Sequence, residues 1–366
     1  MIKLPLKKEK IIKEKIEKIR KILPYGTAAL INNPISRRYL TGFPSSAGSV
    51  VITPKRAVLL IDFRYFEKAS QTVENMEVRL CKSLYSEIGE ILQNDGVQNI
   101  IPETHYITLS SLDAIKKALP DFNVLNDSSV SEKLRELRQI KTEKELKQIK
   151  KAQQITDRAF EHILNFIKVG VTEREIALEL EFFMRRQGSE GVAFDTIAVS
   201  GKNSSLPHGV PTEKQLEKGD FLTMDFGGVC GGYCADMTRT VALGFVTDEQ
   251  RNVYETVLKA QRAVLDVIAP KKKCKCMDAI ARNIIAEAGF GENFGHGLGH
   301  SVGLEIHENP ACNTRDETEL RPGMLMTVEP GIYLSQKFGV RIEDLIVITA
   351  DGCENLTESP KNLIIL

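Results

Sequence analysis

The sequence predicts two domains, an α/β domain at the N-terminus followed by an α+β domain. At 366 residues, the chain is long for a single hydrophobic core. Strand-like and helix-like segments alternate through the first third, whereas the remainder has helices and strands in separate blocks. A long, charged, helix-periodic stretch at residues 128–165 separates the two patterns. We therefore expect domains at residues 1–130 and 131–366.

The N-terminal segment, residues 1–23, carries nine Lys or Arg and three Glu, with Ile12, Ile16, Ile19 and Leu23 at helical spacing. This pattern predicts an amphipathic surface helix, and a nucleic-acid-binding arm is the alternative that the charge leaves open. The segment lacks the apolar stretch of a signal peptide, and no apolar run reaches the roughly 18 residues of a membrane span. Because the net charge of the chain is zero, we expect neither nucleic acid nor membrane as a partner.

The rest of the first domain reads as short strands interleaved with helices. GTAALINN and SVVITPKRAVLLID predict three strands, the last two joined by a Pro-Lys turn. FRYFEKASQTV and LSSLDAIKKAL are predicted helices, and EVRLC, NIIPE and FNVLND are predicted strands. This mixture is typical of a parallel or mixed sheet covered by helices.

In the second domain, three capping boxes predict where helices begin. Thr142, Thr172 and Thr247 are each followed three residues later by Glu or Gln. A further predicted helix, CMDAIARNIIAEAG, ends at Gly289. The strand-like runs between these helices are DTIAVSG, GDFLTMDFGGV, GYCADMTRTVALG, GMLMTVEPGIYL and VRIEDLIVIT. Blocks of this kind favour antiparallel strands with helices on one face.

Two acidic residues, Asp225 and Asp236, flank the Gly-rich turn GGVCGG. If the hairpin folds symmetrically about Cys230–Gly231, these two residues lie directly opposite each other, with Cβ atoms about 5 Å apart. One interpretation is that both face solvent at a strand edge. The other is that both are buried, since their neighbours are apolar residues and glycines, and that a cation neutralises them.

Glu329 and Glu343 also lie in apolar, strand-like runs, and His300 lies among glycines in GHGLGHSVGLEIHE. Buried, unpaired carboxylates are very costly, so four acids and a histidine suggest two divalent cations, whose charge balances the acids. Paired metal ions of this kind hydrolyse amide bonds by activating a water and polarising the carbonyl. The oxygen-rich donor set favours Mn²⁺ or Co²⁺ and accepts Zn²⁺ or Fe²⁺.

These motifs resemble the pita-bread metallopeptidases, specifically the aminopeptidase P and prolidase branch. The resemblance is carried by DFGGVCGGYCADMTRT, GHGLGHSVGLEIHE, EPGIY and RIED, in that order, and is strong over residues 130–366. It implies a pita-bread (creatinase/aminopeptidase) second domain and a creatinase-like first domain. It also implies a homodimer and five metal ligands, which are Asp225, Asp236, His300, Glu329 and Glu343, with Asp236 and Glu343 bridging two metal ions.

The resemblance further implies roles for residues around the metals. Glu329 would accept and pass on a proton, His307 would stabilise the intermediate, and His208 would assist proton transfer. His296 and Tyr333 would line the substrate pocket. Arg341 would contact substrate or steady the acids, and a purely structural ion pair is an equal alternative.

The expected activity is metal-dependent removal of an N-terminal residue that precedes proline. Within the branch, TGFPSSAG and IDFRY favour aminopeptidase P, an Xaa-Pro aminopeptidase, over the alternative, an Xaa-Pro dipeptidase or prolidase. A creatinase-like hydrolase and a non-catalytic binding module of the same fold are further alternatives, which the complete ligand set disfavours. Seven cysteines are too sparse for a disulfide scaffold, so we expect reduced thiols and a cytoplasmic location.

Overall fold

The computed structural model describes residues 6–74 and 76–366, with side chains from residue 13 onward. The chain divides into two compact units, with the boundary between Leu137 and Arg138. The N-terminal prediction of an amphipathic helix agrees with burial of Ile16 and Ile19, while the side chain of Ile12 lies outside the described residues.

The first unit contains a six-stranded mixed sheet with helices. The helices are α1 Leu6–Arg20, α2 Pro34–Thr41, α3 Phe63–Thr72, α4 Leu84–Asp95, α5 Leu109–Ala118 and α6 Ser129–Gln139, the last of which continues across the division. The strands are β1 Thr27–Ile31, β2 Ser49–Ile52, β3 Ala57–Ile61, β4 Glu77–Leu80, β5 Asn99–Pro102 and β6 Asn123–Val124. The sheet order is β4-β3-β2-β1-β5-β6, with β1/β2 and β2/β3 antiparallel and the other pairs parallel.

This arrangement confirms the α/β prediction for the first unit. Strands β1, β2 and β3 are buried along their whole length, as expected for strands covered on both faces. Helices α2 and α4 were not predicted. An Asn cap at Asn33 and a Pro at the first helical position begin α2, a start signal that its short length obscures.

The second unit is built from four long helices and several small antiparallel sheets. The helices are α7 Glu143–Leu164, α8 Glu173–Arg186, α9 Asp248–Leu265 and α10 Cys274–Glu287. The strands are β7 Ile197–Ser200, β8 Phe221–Phe226, β9 Val229–Cys230, β10 Tyr233–Cys234, β11 Met237–Ala242, β12 Gly299–Ser301, β13 Glu308–Cys312, β14 Leu325–Val328, β15 Gly331–Leu334, β16 Phe338–Arg341, β17 Asp344–Ile348 and β18 Cys353–Asn355.

Two blocks, each a helix pair and a three-stranded antiparallel sheet, organise the unit. In the first, α7 and α8 share a core with the sheet β11-β8-β7. In the second, α9 and α10 share a core with the sheet β14-β17-β18. All three predicted capping boxes form reciprocal hydrogen bonds, which begin α7, α8 and α9. The predicted α+β class is therefore confirmed.

The predicted register of the acidic hairpin is wrong. Gly231 and Gly232 both have positive φ, +59° and +81°, so these two residues form the turn and its centre lies one residue later than expected. Asp225 consequently pairs with Thr238, not with Asp236. The ladder also breaks before Asp236, where a Cβ on Gly227 would lie 1.9 Å from the carbonyl oxygen of Ala235.

Candidate metal centre

Three buried acids converge at one point of the second unit. Asp225 lies on β8, Asp236 lies just before β11, and Glu343 lies between β16 and β17. One ligand oxygen of each lies within 4.8 Å of the others. Their exposed fractions are 8%, 4% and 1%, so the solvent-facing interpretation of the aspartates is wrong. The cause is that Asp225 lies within one fully buried strand and Asp236 directly precedes another.

In two of these carboxylates, one oxygen accepts a hydrogen bond and the other has no partner. Asp225 Oδ2 accepts from Arg341 Nη2 at 2.7 Å, and Glu343 Oε2 accepts from Thr238 Oγ1 at 2.8 Å. Asp225 Oδ1 and Glu343 Oε1 are buried and have no hydrogen-bond partner. Buried polar atoms normally have one. Burial and the neighbouring carboxylates raise the pKa of Asp236 and of Glu343, so the acids fit a site that divalent cations complete.

His300 and Glu329 lie against this cluster. The Nε2 atom of His300 is 3.5 Å from Asp236 Oδ2 and 3.4 Å from Glu329 Oε1. Its Nδ1 lies 3.1 Å from the carbonyl oxygen of Ser301, which can only accept, so Nδ1 carries the proton and Nε2 keeps a lone pair. This tautomer is the one a metal ligand requires. Burial lowers the pKa of His300, which keeps the ring neutral.

Thr327 connects the side chain of Glu329 to the backbone of His300. Its hydroxyl donates to Glu329 Oε1 at 2.9 Å and accepts from the backbone N–H of His300 at 3.0 Å. The approach is close: a Cβ on Gly299 would lie 2.1 Å from the carbonyl oxygen of Thr327. Glycine is therefore required next to His300.

Arg341, Tyr333 and His296 form a hydrogen-bonded chain beside the acids. Arg341 is buried and donates to Tyr333 Oη at 2.8 Å, and Tyr333 Oη lies 2.9 Å from His296 Nε2. His296 Nδ1 donates to the carbonyl oxygen of Gly297, so Nε2 accepts from Tyr333. Burial, with the charge of Arg341, lowers the pKa of His296 to about 4. His296 is therefore an uncharged group at neutral pH.

The other two predicted site histidines, His307 and His208, are exposed and line the same pocket. The His307 ring centroid is 4.4 Å from that of His300, and partial burial of the ring together with His300 lowers the pKa of His307. His208 lies in the segment between β7 and β8. The pocket has a volume of about 670 Å³, which suits a small ligand. Its walls also include apolar side chains, among them Phe194, Val210 and Ile306.

Two family profiles match the chain. The Creatinase/Prolidase N-terminal domain matches residues 25–140, and Metallopeptidase family M24 matches residues 147–350, more than half of the chain. The chain belongs to metallopeptidase family M24. The predicted family and the predicted pita-bread fold are thereby confirmed.

M24 relatives resemble the chain over nearly its full length. The Xaa-Pro dipeptidase of Pyrococcus horikoshii is 38% identical, covering 97% of this chain and 99% of its own. The structure of Xaa-Pro dipeptidase from Bacillus anthracis has 45% identity and a TM-score of 0.93, covering 97% and 100%. That of X-Pro aminopeptidase from Thermotoga maritima has 38% identity and a TM-score of 0.87, covering 93% and 97%.

Sequence reasoning missed the supports of this M24 site. Arg239 is fully buried and donates to Asp344 Oδ1 at 2.7 Å, next to Glu343. Gln261, Asn355 and Lys361 donate to the other oxygen of Asp344. The sequence could have indicated both residues. Arg239 lies three residues after Asp236 in DMTRT, and Asp344 directly follows Glu343 in RIED.

The described residues contain one group of His, Cys, Asp or Glu side chains with metal-binding spacing, and it is the acidic one. The seven cysteines are free thiols, consistent with the absence of a predicted disulfide scaffold. Within the part of the chain described, no helix is both long and apolar enough to cross a membrane.

Proposed function

We propose that this M24 hydrolase is an Xaa-Pro dipeptidase, which cleaves the bond between an N-terminal residue and a C-terminal proline. The observation that carries the metallopeptidase part is the pair of unpartnered buried oxygens on Asp225 and Glu343. Similarity to the Xaa-Pro dipeptidases of Pyrococcus horikoshii and Bacillus anthracis supports the dipeptide substrate. The relatives thus support the dipeptidase alternative better than the aminopeptidase P that the N-terminal motifs favoured.

Five residues would hold two divalent ions. They are Asp225, Asp236, His300, Glu329 and Glu343, of which Asp236 and Glu343 would help to hold both ions. When bound, the ions supply an activated water and polarise the scissile carbonyl. Carboxylate-rich donors with one imidazole favour Mn²⁺, with Co²⁺, Zn²⁺ and Fe²⁺ as alternatives.

Glu329 is the proposed proton carrier. Burial raises its pKa to about 7, and Asp225 adds to this rise. A carboxylate at the metal centre can take a proton from water and give it to the leaving amine. Thr327 donates to one oxygen of Glu329, which orients the carboxylate toward His300.

Histidines that line the pocket would handle the developing charges. His307, beside His300, would donate to the oxygen of the tetrahedral intermediate. His208 would assist proton transfer, and His296 would contact substrate. Arg341 would act mainly by holding Asp225, since its guanidinium already bonds to that ligand and to Tyr333.

One observation favours the second candidate, an Xaa-Pro aminopeptidase. Among the described residues that line the pocket, Arg341 is the sole Lys or Arg, and Asp225 engages it. A dipeptidase must bind the free carboxylate of proline, and this wall offers that carboxylate no uncommitted lysine or arginine. A homodimer, as the family resemblance implies, stays a prediction that sedimentation equilibrium would test.

Substrate length separates the two candidates. We expect kcat/KM for Ala-Pro to exceed that for Ala-Pro-Gly and for Ala-Pro-Gly-Gly-Gly by at least about tenfold. Ala-Ala, which lacks proline, serves as the control and should be cleaved poorly. If the extended peptides are cleaved as well as Ala-Pro or better, the protein is an aminopeptidase P.

A further inference from the structure

The segment that carries His208 is a loop, residues 201–211, between β7 and Thr212. Its tip, residues 207–211, lines the pocket, so the position of the loop sets the position of His208. The loop begins with a short 3₁₀ turn, Gly201–Ser205. We call it the His208 loop.

A buried carboxylate lies between the two ends of the His208 loop. Glu173, the first residue of α8, has an exposed fraction of 0%. Its Oε1 accepts from the Ser200 backbone N–H at 2.6 Å and from the Ser200 hydroxyl at 3.0 Å, before the loop. Its Oε2 accepts from the Thr212 backbone N–H at 3.0 Å and from the Thr212 hydroxyl at 2.7 Å, after the loop.

Asn203, inside the loop, completes this arrangement. Its side-chain amide donates to Oε1 and Oε2 of Glu173 at 3.1 and 3.2 Å. Glu173 therefore receives donors from both ends of the loop and from its first turn. Hydrogen bonds to an ionised carboxylate are roughly twice as strong as neutral ones.

Nearer the tip, two hydrogen bonds connect the loop to strand β16, which carries Arg341. The carbonyl oxygen of Pro207 accepts from Arg341 at 3.2 Å, and the Ser204 hydroxyl accepts from the N–H of Gly339 at 2.9 Å. His208 follows Pro207 directly and has its side chain exposed to the pocket. The bonds at the loop ends and the bonds nearer the tip therefore act together to set the position of the imidazole relative to the acids.

We infer that Glu173 is a positioning residue, whose carboxylate accepts hydrogen bonds from both ends of the His208 loop and so holds His208 at the catalytic pocket. This inference rests on the proposed function for the role of His208. The carboxylate is required because both ends present N–H and O–H donors to it. A glutamine at this position has one acceptor oxygen, and its amide nitrogen would face donors on the other side.

The test replaces Glu173 by glutamine in the full-length, metal-loaded protein. We expect kcat/KM for an Xaa-Pro substrate to fall roughly 10- to 100-fold, because small displacements of catalytic groups have effects of this size. Metal content should equal that of the unmodified protein. Glu179→Gln, on the same helix but bonded to His162, is the matched control and should change kcat/KM little.

A double-mutant cycle distinguishes positioning from general destabilisation. In a His208→Ala background, Glu173→Gln should lower kcat/KM by less than about threefold, since the group that it positions is gone. An equal effect with and without His208 would overturn the inference. If Glu173→Gln does not fold, Asn203→Ala removes one of the donors and takes its place in the same cycle.

Amide hydrogen exchange in the metal-free protein provides a readout that needs no substrate. Glu173→Gln should accelerate exchange across residues 200–212 and leave α9 unchanged. Unaltered exchange in this segment would contradict the positioning role of Glu173 even if the enzyme cleaves Xaa-Pro peptides. Faster exchange in a protein that cleaves no Xaa-Pro peptide would support the positioning of the loop by Glu173 and reject the proposed function instead.

Discussion

Single carboxylates in this chain differ in how completely their oxygens are bonded. Glu173 and Asp344 are fully buried, and both oxygens of each accept hydrogen bonds. Asp225 and Glu343 are also buried, yet each has an oxygen without a partner. The first pair is satisfied by protein alone, whereas the second pair is left for a cation. For these four acids, the contrast distinguishes the structural carboxylates from the proposed ligands.

His300 and His307 are close together but should behave differently when replaced. His300→Ala should reduce bound metal, because Nε2 faces Asp236 and Glu329. His307→Ala should leave metal content nearly unchanged and lower kcat roughly 100-fold, as expected for loss of a donor to the intermediate. Metal analysis and steady-state kinetics on both variants test this division. Equal metal loss in the two variants would contradict it.

Metal binding should release protons, and more of them at lower pH. In the metal-free protein the pKa of Glu329 is about 7, and the pKa values of Asp236 and Glu343 are also raised. Below pH 7 Glu329 retains a proton that a cation must displace, and the raised pKa values of Asp236 and Glu343 act in the same direction, so Mn²⁺ affinity should fall as pH decreases from 8 to 6. Calorimetry in two buffers of different ionisation enthalpy measures the protons released. Equal release at pH 6 and pH 8 would be inconsistent with the raised pKa values.

The proposed acidic ligands could be singled out at this scale because acids in apolar runs are conspicuous. Their partners could not. Thr327 and Thr238 resemble ordinary strand residues, and the hydrogen bonds that they make depend on strands far apart in sequence. The exposure of His307 and His208 likewise depends on tertiary structure.

Among the elements, strand β12 shows how backbone spacing sets the site. Gly299→Ala would place a Cβ 2.1 Å from the carbonyl oxygen of Thr327, so β12 must move away from β14. We expect the free energy of unfolding to fall by about 1–3 kcal/mol or more, with weaker metal binding. Gly295→Ala is the control, since a Cβ there has nothing within 4 Å. Urea denaturation of the two variants should separate them, and equal stability would contradict the account.

Element starts were predictable where local chemistry decides them. The capping boxes at Thr142, Thr172 and Thr247 are local patterns, and all three form. The register of the hairpin was predicted wrongly, because either of two neighbouring residue pairs could form the centre of the turn. The positive φ angles of Gly231 and Gly232 decide it, and these follow from the folded hairpin.

For the whole molecule, four short motifs in a fixed order were enough to predict the metallopeptidase family to which the chain belongs. Substrate length was not within reach of the same motifs. They describe the metal centre, which aminopeptidase and dipeptidase share, whereas length depends on what surrounds the far end of the pocket. Similarity to Xaa-Pro dipeptidases favours a dipeptide substrate. The ion pair between Arg341 and Asp225 favours longer peptides, because Arg341 is then not available to bind the carboxylate of a dipeptide.

The central claim is that the acids around Asp236 form the metal centre of an Xaa-Pro peptidase. The most direct measurement is hydrolysis of Ala-Pro and Ala-Pro-Gly by protein stripped with chelator and titrated with Mn²⁺. Metal-free protein should be inactive, and activity should rise until two ions are bound per chain. Asp236→Asn should stay more than about 100-fold less active at saturating Mn²⁺, since even changes outside the ligand shell cost 10- to 100-fold. Full activity in the metal-free protein, or in Asp236→Asn, would contradict the claim.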